Sequence, residues 1–291
     1  MKQTVNKLSN LAIILVFGIG PMTGCTASDK TANDIISSAG GTKQINSTNA
    51  ANKQKDNKSA ENKMASDSKI LWDFRKDDFR KGETISKSET DAVVKYLFGE
   101  QANPKLRINS RVSGSFTKPN AKETLYYLSG CEDETSGQFT TDCPHFSGNT
   151  EGWIAIYDGT TPVMKINEAL GSSIEKPTDV NGDGINEILS FGGYAQSGQR
   201  RQSASLGQIS GDNYQNIKDF KGYADNCASG PALSKDKKSA KAAVISYIPT
   251  TDGKMPEFTE EYLQATCKDS VDNSSWKKIT KKEFDDFFDS L

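Results

Sequence analysis

The chain has 291 residues, 36 basic against 38 acidic side chains, a net charge of −2 and a single histidine. Charge this close to balance excludes the basic stripe that nucleic-acid binding depends on, so no nucleic-acid partner is expected. One histidine, His145, excludes the multi-histidine centres of most zinc hydrolases.

Residues 1–24 open with Lys2 and Lys7 and continue into the short apolar run Leu11–Gly20, the pattern of an export leader. Ten apolar residues are too few to span a bilayer. The run ends in Met22-Thr23-Gly24-Cys25, which resembles a bacterial lipobox, with Met where Leu is usual. That resemblance implies cleavage before Cys25, acylation of its thiol and amine (a palmitate-type anchor), and a membrane partner through two or three acyl chains. Thr26 stands where an Asp would imply inner-membrane retention, so the resemblance points to the outer membrane in a Gram-negative cell.

Residues 25–68 form the lipidated cysteine and a tether of Ala, Ser, Thr, Asn, Lys, Asp and Gln. Their few apolar side chains cannot offset the entropy of ordering, so a disordered spacer is expected. A flexible chain of this length spans typically ~35 Å.

The folded domain is expected over 69–291. Ile70, Leu71, Trp72, Phe74 and Phe79 give it an apolar opening. Ser86-Lys87-Ser88-Glu89 is a capping box, with Val93, Tyr96 and Leu97 on one helical face and Gly99 as the stop. Short strands follow at 125–128, 153–157, 163–166 and 242–247, with Asp158-Gly159 as a hairpin signal. Thr280-Lys281-Lys282-Glu283 is a second capping box, with Ile279 and Phe284 placed as a hydrophobic staple. Phe284, Phe287, Phe288 and Leu291 share a face of this closing helix. The fold class expected is mainly β (α+β): a compact domain of hairpins with a helix at each end, following the tether.

The most specific stretch is Asp179-Val180-Asn181-Gly182-Asp183-Gly184-Ile185-Asn186-Glu187. Oxygen-bearing side chains stand at loop positions 1, 3, 5 and 9, and glycines at 4 and 6 permit the sharp turns. Calcium takes six to eight oxygens at roughly 2.3–2.6 Å. Asp179, Asn181, Asp183 and Glu187 are the candidate side-chain ligands and Ile185 the candidate carbonyl ligand. An EF-hand needs a Glu at position 12, where Ser190 stands, and a dockerin-like loop fails on the same residue. The residues after Glu187 are strand-forming, not helical. The loop resembles the D-x-N-G-D-G-x-x-E calcium loop of integrin-type FG-GAP (VCBS-like) repeats, the blades of β-propellers. The likeness covers Thr178 to Gly193 and implies a structural calcium ion between two strands of a propeller-like hairpin.

A second, fainter copy lies upstream. Ser115–Leu125 can be laid over Asp179–Leu189 without a gap, so that Phe116 matches Val180, Ala121 matches Ile185 and Glu123 matches Glu187. It keeps the apolar frame and the Glu but lacks the Asp ligands. Two copies are too few to close a propeller.

Besides Cys25 there are four cysteines, an even number in an exported chain. Cys131 pairs with Cys143 across a polar loop, a closure worth ~2–3 kcal/mol, and Cys227 with Cys267 by elimination. No C-x-x-C pair supports zinc.

The polar glycine-rich stretch 192–201 offers Tyr194, Arg200 and Arg201 either to a partner carboxylate or glycan or as a plain hairpin tip. Lys235–Lys241 has the composition of a solvated connector. No nucleophile elbow, P-loop or dinucleotide fingerprint is present, and no catalytic residue is assigned. The expectation is a calcium-stabilised, non-enzymatic lipoprotein of the cell envelope that binds an envelope protein or glycan. An envelope enzyme or inhibitor acting on peptidoglycan or surface polysaccharide is the alternative.

Overall fold

A computed structural model describes residues 67–76, 84–100, 105–133, 135–143, 151–229, 238–267 and 270–291. The segment read as a leader, Cys25, residues 26–66 of the expected tether, Phe79 and His145 lie outside the described residues. Everything described falls within one compact unit of the chain. Two antiparallel sheets and two helices make up the fold, which is mainly β.

The larger, eight-stranded sheet contains β1 (Lys69–Asp73), β7 (Ser173–Thr178), β8 (Glu187–Gln196), β9 (Gln199–Ser210), β10 (Asn213–Asp225), β11 (Ser239–Tyr247), β12 (Phe258–Thr266) and β13 (Lys277–Ile279). Its order is β13-β12-β11-β10-β9-β8-β7. It is forked. β12 pairs along the whole of β11. On the other side β10 pairs only with Ala240–Ala242, and β1 takes over from Val244 to Tyr247. The five-stranded sheet runs β2 (Ser110–Gly114), β3 (Glu123–Glu132), β5 (Glu151–Asp158), β6 (Thr161–Asn167), with β4 (Phe139–Thr140) on the end of β3. Among the described residues neither sheet closes on itself.

Period-two alternation explains how the sheets pack. On β3, Leu125 and Tyr127 join Ile154 and Ile156 of β5 against Ile174, Ile188 and Ile209 of the larger sheet. The alternate residues, Tyr126, Leu128, Ala155 and Tyr157, face α1 (Lys87–Phe98) through Val93, Val94 and Leu97. β3 is buried without a break from Leu125 to Cys131, so both of its faces are covered and no alternation of buried and exposed positions is seen.

Both helices start where their capping boxes place them. Ser86 accepts from Glu89 N–H and Thr280 from Glu283 N–H, with each glutamate reaching back to the cap. Helix α2 (Lys281–Ser290) lies over β10, β11 and β12 and buries Phe284, whose ring centre is 4.9 Å from that of Tyr262. Lys241 departs from the solvated connector expected of 235–241. It lies within β11, is 8% exposed, donates from Nζ to the Glu283 carbonyl, and sits 4.9 Å from the centre of the Phe287 ring. The helix supplies an acceptor and a π face, which the lysine run by itself does not reveal.

The cysteines pair as read from the sequence. Cys131 and Cys143 have Cα atoms 5.8 Å apart, and Cys227 and Cys267 5.5 Å, both within disulfide reach. The second bond ties the end of β10 to the end of β12.

Candidate metal site

Three loops meet at one end of the two sheets: 115–122 between β2 and β3, 179–186 between β7 and β8, and 248–257 between β11 and β12. The middle loop is bonded to both neighbours. Ser115 and Asn186 exchange two bonds, Asn186 N–H to the Ser115 carbonyl at 2.6 Å and Ser115 N–H to Asn186 Oδ1 at 2.7 Å. On the other side, Gly253 N–H and Thr250 Oγ1 both donate to the Asn181 carbonyl, each at 3.1 Å.

Within the middle loop the side chains fold over their own backbone. Asp179 accepts from Gly182 N–H at 2.7 Å through Oδ1 and from Gly184 N–H at 3.0 Å through Oδ2. Asp183 Oδ1 accepts from Ile185 N–H at 2.7 Å, and Asn181 Oδ1 accepts from Asp183 N–H at 3.1 Å. Gly182 and Gly184 have φ of +74° and +85°, the left-handed region that glycine occupies without strain. A Cβ on Gly182 would also stand 2.4 Å from the Thr250 carbonyl oxygen.

Asn181 and Glu187 are buried, Asp183 is exposed, and Asp179 and Ile185 are half-buried. Glu187 is 1% exposed, and its Oε2 accepts from Val180 N–H at 2.9 Å. Burial pushes its carboxyl up to about 7, backbone N–H groups oppose the rise, and the charges of Asp179 and Asp183 add to it. Among the described residues, no three His, Cys, Asp or Glu side chains converge as a metal-holding group.

The upstream copy has the same frame. β2 and β3 pair Gly114 with Glu123, and β7 and β8 pair Thr178 with Glu187, at equivalent positions of the gap-free overlay. Phe116 and Val180 are both fully buried beneath their loops. Glu123, 1% exposed, accepts from Phe116 N–H at 2.6 Å and from Thr117 N–H at 2.9 Å through Oε2, and from the Thr117 hydroxyl through Oε1. The glutamate-to-backbone clamp is common to both loops, and the acidic turn is found in one of them.

Tyr194, Arg200 and Arg201 lie on the β8–β9 hairpin, whose turn residues Ser197 and Gly198 both have positive φ. Alternation sends the two arginines to opposite faces. Arg200 Nε donates to Asp225 Oδ2 at 2.7 Å, whereas Arg201 Nη1 donates to the Phe288 carbonyl at 3.1 Å. Arg201 also lies 4.5 Å from the centre of the Tyr194 ring, and the Tyr194 hydroxyl donates to the Leu291 carbonyl at 2.5 Å. Tyr194 and Arg201 thus hold the last turn of α2, satisfying carbonyls that a helix end leaves unbonded.

Sequence reading missed the buried partner of Arg200, Asp225, which the β9–β10 register sets directly opposite it. It missed the clasp of the 248–257 loop on Asn181, for which the turn signal Asp252-Gly253 was available. The chain matches no protein-family model, no curated protein and no solved structure.

Proposed function

We propose that this protein is an exported, lipid-anchored binding module of the cell envelope, whose domain is ordered by calcium in the 179–187 loop. The observation that carries the calcium reading is Glu187: a buried carboxyl raised to about 7 by desolvation and by two neighbouring acids. Such a group is costly to ionise alone, and a cation bound in the loop would offset that cost. Asp179, Asn181 and Asp183 would supply side-chain oxygens beside it, and Ile185 its carbonyl. The ion would fix the turn and, through Asn186 and Asn181, the two loops bonded to it; no catalytic step is assigned to it.

Two disulfides support an oxidising compartment. The leader and lipobox motif support a membrane anchor at Cys25, with 25–68 as the spacer and 69–291 as the domain. A propeller-like arrangement of hairpins, short of a closed ring, is supported by the repeated β2–β3 and β7–β8 loops and by the face-to-face packing of the sheets that carry them.

Calorimetric titration of calcium into the oxidised, chelator-stripped protein tests the loop. A saturable heat that Asp183→Ala abolishes is expected, at the ~10⁻⁴–10⁻³ M affinity of extracellular sites. No heat up to several times that concentration sinks the calcium reading. For the anchor, Cys25→Ser should abolish labelling by a fatty-acid probe in cells, and a normally labelled variant overturns it.

A further inference from the structure

The fork in the large sheet opens a cleft. β10 is bulged between Lys221 and Tyr223, and the Phe74 ring occupies the space beside Gly222, where an ideal Cβ would lie 2.0 Å from a ring carbon. The cleft at this fork has a volume of about 540 Å³, within the ~300–1,000 Å³ range of small-molecule sites. Asp73, Arg75, Lys76 and Arg200 line it, together with Trp276 and Asn273.

The cationic side is fixed in place by the protein itself. Arg75 donates from Nε to Asp73 Oδ1 at 2.8 Å and from Nη2 to Oδ2 at 2.7 Å. Arg200 is held by Asp225 and lies 5.3 Å from the centre of the Tyr223 ring. Their side chains are still 36% and 39% exposed. Arg200 also donates from Nη2 to the Tyr223 hydroxyl at 3.2 Å. Lys76 is 74% exposed, 3.7 Å from Asp73. Among the described residues that line the cleft, three cations stand against one carboxylate, Asp73, while Asp225 pairs with Arg200 from outside the lining.

The segment that carries Trp276 is held too. The Cys227–Cys267 disulfide and the Cys267–Val271 bridge tie back the segment that leads to Trp276, whose Nε1 donates to Asn273 Oδ1 at 3.4 Å. The amides of Gln202 and Asn273 and the hydroxyl of Ser270 also line the cleft.

We infer that this cleft binds an acidic saccharide, with the sugar carboxylate against Arg75 and Lys76 and an apolar sugar face against Trp276. An inorganic anion needs no indole wall and no space of this size. A neutral sugar leaves the net positive charge unanswered, whereas scattered amides and a hydroxyl suit a ligand rich in hydroxyl groups. Both Asp73 oxygens are engaged by Arg75, so the one carboxylate lining the cleft is a poor general acid or base, and binding is the role that remains for it. The inference rests on the reading of the domain as a binding module and is independent of the calcium loop.

The test is calorimetric titration of the oxidised full chain with a tetrasaccharide of alternating glucuronate and N-acetylglucosamine. The same oligosaccharide with its carboxyls reduced to alcohols is titrated in parallel. Saturable binding is expected for the acidic form and about tenfold weaker binding for the reduced form, equivalent to ~1.4 kcal/mol. Lys76→Glu, an exposed change with little bearing on folding, should weaken binding at least about fivefold, and Trp276→Ala about tenfold or more. Equal affinity for both oligosaccharides, no binding of either, or unchanged affinity in Lys76→Glu overturns the inference. Repeating the titration in chelator separates the two readings: binding that persists while calcium gives no heat leaves the cleft standing and removes the calcium loop. New reducing ends during incubation would keep the cleft as a saccharide site but end the reading of the domain as non-enzymatic.

Discussion

The loops 115–123 and 179–187 show how one backbone frame can be closed in two electrostatic ways. Each bridges two antiparallel strands, buries an apolar residue beneath itself, and turns a buried glutamate onto the backbone N–H seven residues earlier. In the first loop, two backbone N–H groups and the Thr117 hydroxyl answer the Glu123 carboxylate. In the second, Asn181 stands at the Thr117 position and gives its amide to Asp183 instead. Glu187 then faces two further acids with fewer donors, and its carboxyl is raised to about 7. The lesson is that a buried carboxyl can be answered by the chain's own donors or left short of them, and the choice turns on a few side chains within a shared geometry.

The comparison breaks most visibly at Glu123. Replacing it by Ala strands the Phe116 and Thr117 donors in a buried site, at ~1–3 kcal/mol for each unsatisfied group. Glu123→Ala should therefore lose about 4 kcal/mol in urea unfolding, equally with calcium and with chelator. A calcium-dependent loss would mean the two loops are not closed in different ways.

The next largest effect is one of pH. In chelator, Glu187 has a folded-state value of about 7 against an ordinary 4.5. Because the folded value is the higher, the protonated group favours the folded state. Its contribution is fully present below about pH 4.5 and is lost as pH rises through about 7, a fall of up to ~3 kcal/mol. Saturating calcium should remove that fall, since the ion holds Glu187 ionised. Urea midpoints between pH 5 and pH 8, with and without calcium, measure it, and Glu187→Gln should flatten the curve in chelator.

Asp179→Ala should cost about 2 kcal/mol in chelator, because Gly182 and Gly184 lose their acceptor. It should also abolish the rise in melting temperature on adding calcium, which for the unmodified chain corresponds to ~2.7 kcal/mol at a hundredfold excess over Kd. The smallest effect sharpens the contrast from the other side. Ser115, at the Asp179 position of the first loop, gives only its hydroxyl to the Ala121 carbonyl. Ser115→Ala should cost about 1 kcal/mol or less and leave the response to calcium untouched.

Much of this was legible in the chain because it is written in local terms. The capping boxes at Ser86 and Thr280 are bonds between residues three apart, and both form as read. The matching glutamates of the two loops are likewise set by spacing. The disulfide partners followed from parity and loop closure. By contrast, Arg200 and Arg201 are neighbours in sequence, and only their strand alternation and the placement of α2 send one to a buried aspartate and the other to a helix end.

Sequence alone therefore determined the elements that short-range geometry specifies: caps, turns, the glycine positions of the 179–187 loop, and the paired loop frame. The tertiary structure decided the rest, because the deciding partners are distant in the chain. Val244–Tyr247 could pair with any free strand, and β1 rather than β10 takes that edge. Lys241 is buried because Glu283, forty-two positions later, brings a carbonyl to it. The cleft at the fork has no sequence signature, since its walls come from β1, β9, β10 and the segment before β13.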